Sequence, residues 1–121
     1  MDLVVIRKDE ENEPLAVISC KTSLHGRFSE TLFYAVVLKQ LNPKLKVIFA
    51  SPDKGRQAKN NIWCSEWGSE DKPTKDRLLA EHYLDGVYIN NKGTCLGGKI
   101  KNLEALPYDL SKWFLEIKKE E

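Results

Sequence analysis

Two short strand-like runs that contain Val and Ile open the chain, and only a charged, turn-forming stretch separates them. The runs are residues 3–8 and 15–21, and the stretch between them reads DEENEP. A connection of this length can join antiparallel neighbours, whereas parallel strands need a crossover of about a dozen residues or more. The sequence therefore predicts that the chain begins with a β-hairpin.

A helix is predicted after the hairpin. Residues 29–42 are long enough for one, and Pro43 supplies a stop just beyond them. Most faces of this segment are apolar, so we expect the helix to be largely buried. The apolar residues that recur at helical spacing are Tyr34, Val37, Leu38 and Leu41.

The rest of the chain continues the alternation of strand and helix. Polar residues 53–73 predict a long loop that could hold a short helix, and glycine-rich residues 91–98 predict a turn. The order β-β-α-β-α-β-α predicts the α/β class, with a mixed central β-sheet flanked by helices. The other predicted elements are an interior strand at 44–51, a helix at 74–84, a fourth strand at 86–90 and a C-terminal helix from Asp109 or Ser111 to Lys119.

Composition and charge narrow the functional classes. The chain has 121 residues, 41% of them apolar, and a formal net charge of +1. This size favours a single domain with one core. A net charge this small gives no overall basic field that would indicate a nucleic-acid partner. No stretch approaches about 18 apolar residues and no basic-then-apolar leader is present, so we expect a cytoplasmic protein without a membrane span.

The three cysteines, Cys20, Cys64 and Cys95, are far apart and form no CxxC pair. Their odd number and spacing fit a reducing compartment better than a disulfide scaffold, and they do not support a zinc site. Strand-like sequence begins directly after Met1 and Asp2, which indicates that the chain could be a fragment of a longer one.

The second strand of the hairpin delivers a lysine to its tip. If the turn is centred in residues 9–14, residues whose numbers sum to about 23 lie opposite one another, which places Asp2 beside Lys21. A slip of one or two residues would leave both at the same rim of the sheet. Ser19 and Lys21 share one face of their strand, and Glu30, at the start of the helix, could point back towards that rim.

A carboxylate, a lysine and a second carboxylate at one rim suit metal-assisted hydrolysis of a phosphodiester. Carboxylates hold a hard divalent cation through oxygen, and the cation lowers the pKa of its bound water. A lysine at a strand tip can lay its stem along the sheet, reach solvent with its ammonium and stabilise the charge that develops on the phosphate. Taken alone, however, Asp and Lys at strand ends are more often simply solvated charges.

The residues around the lysine resemble a known family. Residues 19–21 read Ser-Cys-Lys, and residues 21–28 read KTSLHGRF. These stretches are similar to the S-C-K and K-T-[ST]-x-x-x-R-[WF] signatures of the PD-(D/E)XK nuclease superfamily, in the branch of type II restriction endonucleases that includes EcoRII and NgoMIV. The resemblance covers residues 2–51, a little under half of the chain.

The resemblance implies a catalytic site at the hairpin rim. Asp2 matches the first metal-binding aspartate, and Lys21 matches the catalytic lysine. Ser19 stands where most of the family has Asp or Glu. Some members move that carboxylate to the following helix, where this sequence has Tyr34, which cannot replace it. Glu30 lies one helical turn earlier on the same face, and we nominate it as the migrated carboxylate.

The resemblance also implies a cofactor and partners. The cation would be Mg²⁺, held by Asp2, Glu30 and the backbone carbonyl of Cys20, and the activity would be that of an endonuclease acting on double-stranded DNA. The enzyme would be a homo-oligomer, either a dimer or a tetramer. The residues expected to contact DNA are Thr22, Ser23, His25, Arg27, Lys54 and Arg56.

Two other functions stay open at this point. Ser19 and Tyr34 could mark lost metal ligands, which would make the chain an inactive nuclease-like module that binds nucleic acid or protein. The fold would also suit a structure-selective nuclease such as a junction resolvase. Convergence of Glu30 with Asp2 would favour an enzyme over the inactive module.

Several other features have ordinary structural interpretations. Residues 52–53 and 70–72 also spell PD…(D/E)XK, but the second segment is hydrophilic, follows Gly68 and makes a poor core strand. Trp63 and Trp67 could stack on bases, although packing as loop anchors is the commoner role. His82 is expected to be structural or solvated.

Overall fold

The computed structural model describes residues 2–8, 13–21, 28–52, 56–57, 63–90 and 96–120. The α/β class predicted from the sequence is confirmed. In chain order the elements are β1 (Asp2–Ile6), β2 (Pro14–Cys20), α1 (Phe28–Leu41), β3 (Lys46–Ser51), β4 (Arg56–Gln57), β5 (Trp63–Cys64), α2 (Lys75–Tyr83), β6 (Gly86–Ile89), β7 (Ile100–Asn102), a 3-10 turn (Leu103–Ala105) and α3 (Leu106–Glu120).

Five of these strands form one sheet in the order β1-β2-β3-β6-β7. β1 pairs antiparallel with β2, and the other neighbouring pairs are parallel. Helix α1 lies between β2 and β3 and helix α2 lies between β3 and β6, so helices contribute to the long connections of two of the three parallel pairs. The predicted mixed sheet with a hairpin at one edge is therefore confirmed.

The hairpin register differs by two residues from the predicted one. Asp2 lies opposite Ser19, not Lys21, and the pairing shifts by one residue between Val5 and Ile6. The Arg7 amide closes the turn by donating to the carbonyl of Glu13 at 2.7 Å. The numbers of the paired residues therefore sum to 20 or 21 rather than 23, and the slip leaves Asp2 at the expected rim.

The sheet has an apolar core on each face, as the alternation of side chains along a strand requires. On one face, α1 and α2 cover Val47, Phe49, Val87 and Ile89. On the other face, α3 contributes Leu106, Leu110 and Trp113 to a cluster with Ala16, Ile18, Ile48 and Tyr88. Ser19 and Lys21 alternate with Ile18 and Cys20, which puts both on the face that α1 covers.

Trp67 anchors the long connection between β3 and α2 to the core. Its side chain is 1% exposed and makes edge-to-face contacts with Phe28 and Phe49 at ring-centroid distances of 5.4 and 5.9 Å. The ordinary structural role expected for Trp67 is therefore confirmed. The same connection contains β4 and β5, a two-stranded antiparallel sheet that the polar sequence gave no reason to expect.

Helix α1 is not largely buried, and that expectation was wrong. Its buried side chains are Phe28, Thr31 and Ala35, which face the sheet. Phe33 is 63% exposed and Leu41 is 79% exposed. The sheet covers only one side of the helix, so apolar residues on the outward side stay in contact with solvent.

The C-terminal helix begins earlier than predicted, at Leu106 rather than at Asp109 or Ser111. The 3-10 turn leads into it directly, and Pro107 in the first helical turn needs no hydrogen-bond acceptor for a backbone amide. β7 was not predicted, because a strand of three residues is too short to show alternation. None of the helices in the described residues combines the length and the apolar character needed to cross a membrane.

Candidate active site

Asp2, Ser19 and Lys21 come together where β2 ends. Asp2 is the cross-strand partner of Ser19, and directly opposed residues of an antiparallel pair place their side chains on the same face. Lys21 is two residues beyond Ser19, so its side chain leaves the backbone on that face too. The Nζ atom of Lys21 lies 3.7 Å from Oδ1 of Asp2. The two residues that the sequence placed at one rim therefore form an ion pair.

The lysine side chain is mostly enclosed. Only 7% of it is exposed, compared with 36% of the Asp2 side chain, so most of the lysine stem is covered, as expected for a stem that lies along the sheet. Its backbone is fixed by a 3.0 Å hydrogen bond from the Lys21 amide to the carbonyl of Ala50 on β3. At 3.7 Å the two charged atoms attract each other but are too far apart for a hydrogen bond.

Ser19 contributes a buried hydroxyl to the same place. Its side chain is 0% exposed, and Oγ has no hydrogen-bond partner among the described residues. Leaving such a group unsatisfied costs about 1–3 kcal/mol, and buried polar groups are normally satisfied by protein or by ordered water. The hydroxyl is thus suited to hydrogen-bond a small polar ligand beside Asp2 and Lys21.

Glu30 and Tyr34 form a hydrogen-bonded pair one turn apart on α1. The Tyr34 hydroxyl donates to Oε1 of Glu30 at 3.0 Å. This hydrogen bond and the charge of Glu30 raise the pKa of Tyr34 above its ordinary value, with smaller contributions from burial and from the charge of Asp2. The phenol therefore stays protonated at neutral pH and remains a donor. Glu30 lies in the first turn of α1, the helix that follows β2 in the chain.

The site geometry can be set beside known proteins. The model of the BsaWI restriction endonuclease type 2 family matches residues 1–109. The chain belongs to the BsaWI restriction endonuclease family. Membership agrees with the resemblance to type II restriction endonucleases, whereas the assignment to the S-C-K branch stays a prediction.

Two further proteins resemble this BsaWI-family chain. Over 90 residues it is 33% identical to MjaVIP of Methanocaldococcus jannaschii, a proposed type II restriction enzyme, and the match covers 71% of this chain and 37% of that protein. The crystal structure of the specific restriction endonuclease AgeI in a complex with DNA matches with a TM-score of 0.60 at 18% identity. That match covers 85% of this chain and 44% of AgeI, so the chain spans less than half the length of both proteins.

Most of the predicted DNA contacts of this BsaWI-family chain lie outside the described residues. These are Thr22, Ser23, His25, Arg27 and Lys54. Arg56 lies in β4, of which only the backbone is described. The contacts with DNA therefore stay predictions.

The described residues bring together no group of three His, Cys, Asp or Glu side chains that could hold a metal ion. A cation held by Asp2 and Glu30 would need its remaining ligands from backbone carbonyls and water, which Mg²⁺ tolerates because it keeps several waters.

The S-C-K motif predicted Asp2 and Lys21 as site residues and led to the nomination of Glu30, but it did not predict the hydrogen bond from Tyr34 to Glu30. The spacing of four residues on a helix was the available signal for that bond.

The second PD…(D/E)XK pattern does not form a comparable site in the described residues. Glu70, Asp71 and Lys72 are exposed and lie in a turn rather than in a strand. His82 is exposed and packs edge-to-face on Tyr83, with a centroid distance of 4.6 Å, in agreement with a structural or solvated role.

A second cluster of titratable groups lies on the α3 face of the sheet. The Tyr88 hydroxyl donates to Oδ2 of Asp109 at 2.5 Å, and Lys101 Nζ lies 2.9 Å from the same oxygen. Burial and the Asp109 carboxylate raise the pKa of Tyr88. Burial alone would raise the pKa of Asp109, but the hydrogen bonds from Tyr88 and Lys101 outweigh it and lower that pKa. The cluster ties α3 to β6 and β7.

Proposed function

We propose that this chain forms the catalytic core of a Mg²⁺-dependent type II restriction endonuclease, which hydrolyses phosphodiester bonds in double-stranded DNA. The observation that carries the proposal is the mostly buried Lys21 side chain, whose ammonium lies beside the Asp2 carboxylate, on the face of β2 where the Ser19 hydroxyl has no partner among the described residues. Membership of the BsaWI family supports it. Residues 1–121 would form a single nuclease-like domain that contains the active site and acts in the cytoplasm.

The oxygen donors proposed for this site are of the kind that a hard divalent cation takes. Asp2 and Glu30 offer carboxylate oxygens, and the buried Ser19 hydroxyl would hydrogen-bond a water molecule in the cation's shell. The Lys21 amide points towards β3, and backbone groups alternate along a strand, so the Cys20 carbonyl points towards the β1 side, where Asp2 lies. When bound, Mg²⁺ would lower the pKa of its water and neutralise charge on the phosphate.

Lys21 would act on the reacting phosphate directly. Its position is fixed by the β2–β3 ladder, and an ammonium in a mostly enclosed site interacts more strongly with an anion than one in water. It would stabilise the negative charge that develops on the phosphate oxygens, while Asp2 keeps the ammonium oriented in the absence of DNA. Such a preorganised group lowers the barrier by on the order of 3 kcal/mol.

DNA binding would depend on local clusters rather than on overall charge, since the net charge is only +1. Thr22, Ser23, His25 and Arg27 follow the catalytic lysine in sequence and would contact phosphates around the scissile bond. Lys54 and Arg56 would extend the contact along the duplex. Because each neutralised phosphate releases a counterion, DNA affinity should fall steeply as the salt concentration rises.

We further propose that the protein acts as a homo-oligomer, with a second copy of this chain against the outward side of α1. Phe33, Val36 and Leu41 are exposed on that side, although they are apolar. The same stripe on two copies is self-complementary about a two-fold axis, and a chain of net charge +1 repels its copy only weakly. Sedimentation of the wild type and of Phe33→Glu, which should be monomeric, would test this.

An inactive DNA- or protein-binding module is the second candidate. It is favoured by Ser19 and Tyr34, which stand where the family resemblance implies carboxylates. Incubation of the purified chain with double-stranded DNA and Mg²⁺, with EDTA as the control, separates the two. Cleavage that requires Mg²⁺ supports the enzyme, whereas DNA binding without cleavage at any Mg²⁺ concentration supports the module.

A further inference from the structure

We propose that Tyr34 is a positioning residue, whose hydroxyl holds one carboxylate oxygen of Glu30 so that the other oxygen is directed to the cation. This inference rests on the proposed function, since it needs Glu30 to be a metal ligand. The hydrogen bond itself is present in the structure, from the Tyr34 hydroxyl to Oε1 of Glu30 at 3.0 Å.

The two residues stand on a rigid part of the molecule. Phe28, Thr31 and Ala35 of the same helix are buried against the sheet, and Phe28 packs edge-to-face on Phe49 at 5.3 Å. The backbone between Glu30 and Tyr34 is therefore fixed, and only the side chains remain to be oriented. Residues four apart are neighbours on a helix surface, which makes the phenol the natural partner of the carboxylate.

Glu30 needs such a partner more than Asp2 does. Its side chain is exposed and would otherwise sample many rotamers, whose loss on metal binding can cost up to about 2 kcal/mol. Asp2, in contrast, has a shorter side chain and already lies beside Lys21. A hydrogen bond to Oε1 removes much of the freedom of Glu30 before the cation arrives. Ligating carboxylates are commonly hydrogen-bonded in this way, and loss of the outer partner weakens metal affinity about 10–100-fold.

The test is metal binding without DNA, using Ca²⁺ as the probe and calorimetry on the full chain. Tyr34→Phe removes only the hydroxyl, and we expect it to weaken Ca²⁺ binding about 10-fold or more while leaving the melting temperature unchanged. Tyr108→Phe is the matched control, because Tyr108 is 79% exposed on α3, on the opposite face of the sheet. It should bind Ca²⁺ as the wild type does.

A double-mutant cycle distinguishes positioning from an independent structural effect. If Tyr34 acts through Glu30, Tyr34→Phe should have no further effect on Ca²⁺ affinity once Glu30→Gln is present. Unchanged Ca²⁺ affinity in Tyr34→Phe, with weaker binding in Glu30→Gln, would overturn the role of Tyr34 and leave the proposed metal site in place. A wild-type chain that binds no Ca²⁺ at all would overturn the proposed metal site, and this inference with it.

Discussion

The ammonium of Lys21 lies 3.7 Å from Oδ1 of Asp2, and only 7% of the lysine side chain is exposed. At this distance the ammonium does not hydrogen-bond to Asp2, so that carboxylate leaves the ammonium donors unused. Under the proposed function, a phosphate of a DNA strand would accept from those donors. Each carboxylate and the lysine can be tested separately.

Lys21→Ala should abolish DNA cleavage and leave the fold intact. The loss of charge stabilisation in the transition state should reduce the rate by two or more powers of ten, on the order of 3 kcal/mol. Because the lysine stem is enclosed, Lys21→Met is a second variant that retains packing and removes the charge. Single-turnover cleavage at saturating Mg²⁺ measures the effect, and wild-type rates in either variant would exclude Lys21 from catalysis.

Lys72→Ala is the matched control for the lysine. Lys72 belongs to the second PD…(D/E)XK pattern but is exposed in a turn. Its removal should change the stability by less than about 0.5 kcal/mol and leave the cleavage rate unaltered. A folded but inactive Lys72→Ala protein would mean that the catalytic lysine had been assigned to the wrong pattern.

The two carboxylates should show one shared phenotype. If Asp2 and Glu30 serve the same ion, Asp2→Asn and Glu30→Gln should both raise the Mg²⁺ concentration needed for half-maximal cleavage. Each replacement preserves shape and removes the negative charge that a hard cation requires. Cleavage measured against Mg²⁺ concentration gives the midpoint. An unaltered midpoint in Glu30→Gln, with Asp2→Asn inactive, would leave Asp2 in the site and remove Glu30.

The Ser19 hydroxyl should matter to activity but not to stability. Ser19→Ala removes a buried oxygen that has no partner among the described residues, so the free energy of unfolding should not fall by more than about 0.5 kcal/mol. Thr31→Val is the matched control, since Thr31 is equally buried and its hydroxyl also lacks a partner there. Urea unfolding should show the same small change for both, whereas cleavage should be slower in Ser19→Ala only.

The sequence was most informative where a pattern spanned many residues. The hairpin, the interior strand and α2 have runs long enough to show a period, and the ends of Lys75–Tyr83 lie within one residue of prediction. The register at Asp2 was missed by two residues, because the composition of a turn does not determine which residues first pair across it. The outward side of α1 was misjudged because apolar sequence does not reveal which side the sheet covers.

The interactions of Asp85 could not be predicted from the sequence either, because its partners Val47 and Lys39 are remote from it in the chain. Asp85 Oδ2 accepts the Val47 amide at 2.8 Å and lies 2.6 Å from Lys39 Nζ. Asp85→Ala should lower the free energy of unfolding by about 2–3 kcal/mol, because a buried amide loses its acceptor and Lys39 loses its partner. Lys44→Ala is the control, as its 3.9 Å pair with Glu120 is exposed and should contribute under about 1 kcal/mol. Urea unfolding at neutral pH compares them.

The Tyr88–Asp109 hydrogen bond should make part of the stability dependent on acid pH. In the folded protein the pKa of Asp109 lies below its ordinary value of 3.8, so folding favours the charged carboxylate. The resulting stabilisation is present above that ordinary value and is lost as the pH falls through the lower pKa of the folded state. Tyr88 stays protonated throughout, because its pKa is raised, and it continues to donate.

Tyr88→Phe tests this directly, because it removes the donor and keeps the ring. At neutral pH the variant should be less stable by about 1.5–3 kcal/mol, the usual contribution of a hydrogen bond to a charged group. Asp109 would keep its contact with Lys101, so its pKa should move only part of the way back towards 3.8. Urea unfolding at a series of pH values from neutral to about pH 2 should therefore show a smaller loss of stability on acidification in Tyr88→Phe than in the wild type. Parallel curves for the two proteins would mean that the hydrogen bond does not control the ionisation of Asp109.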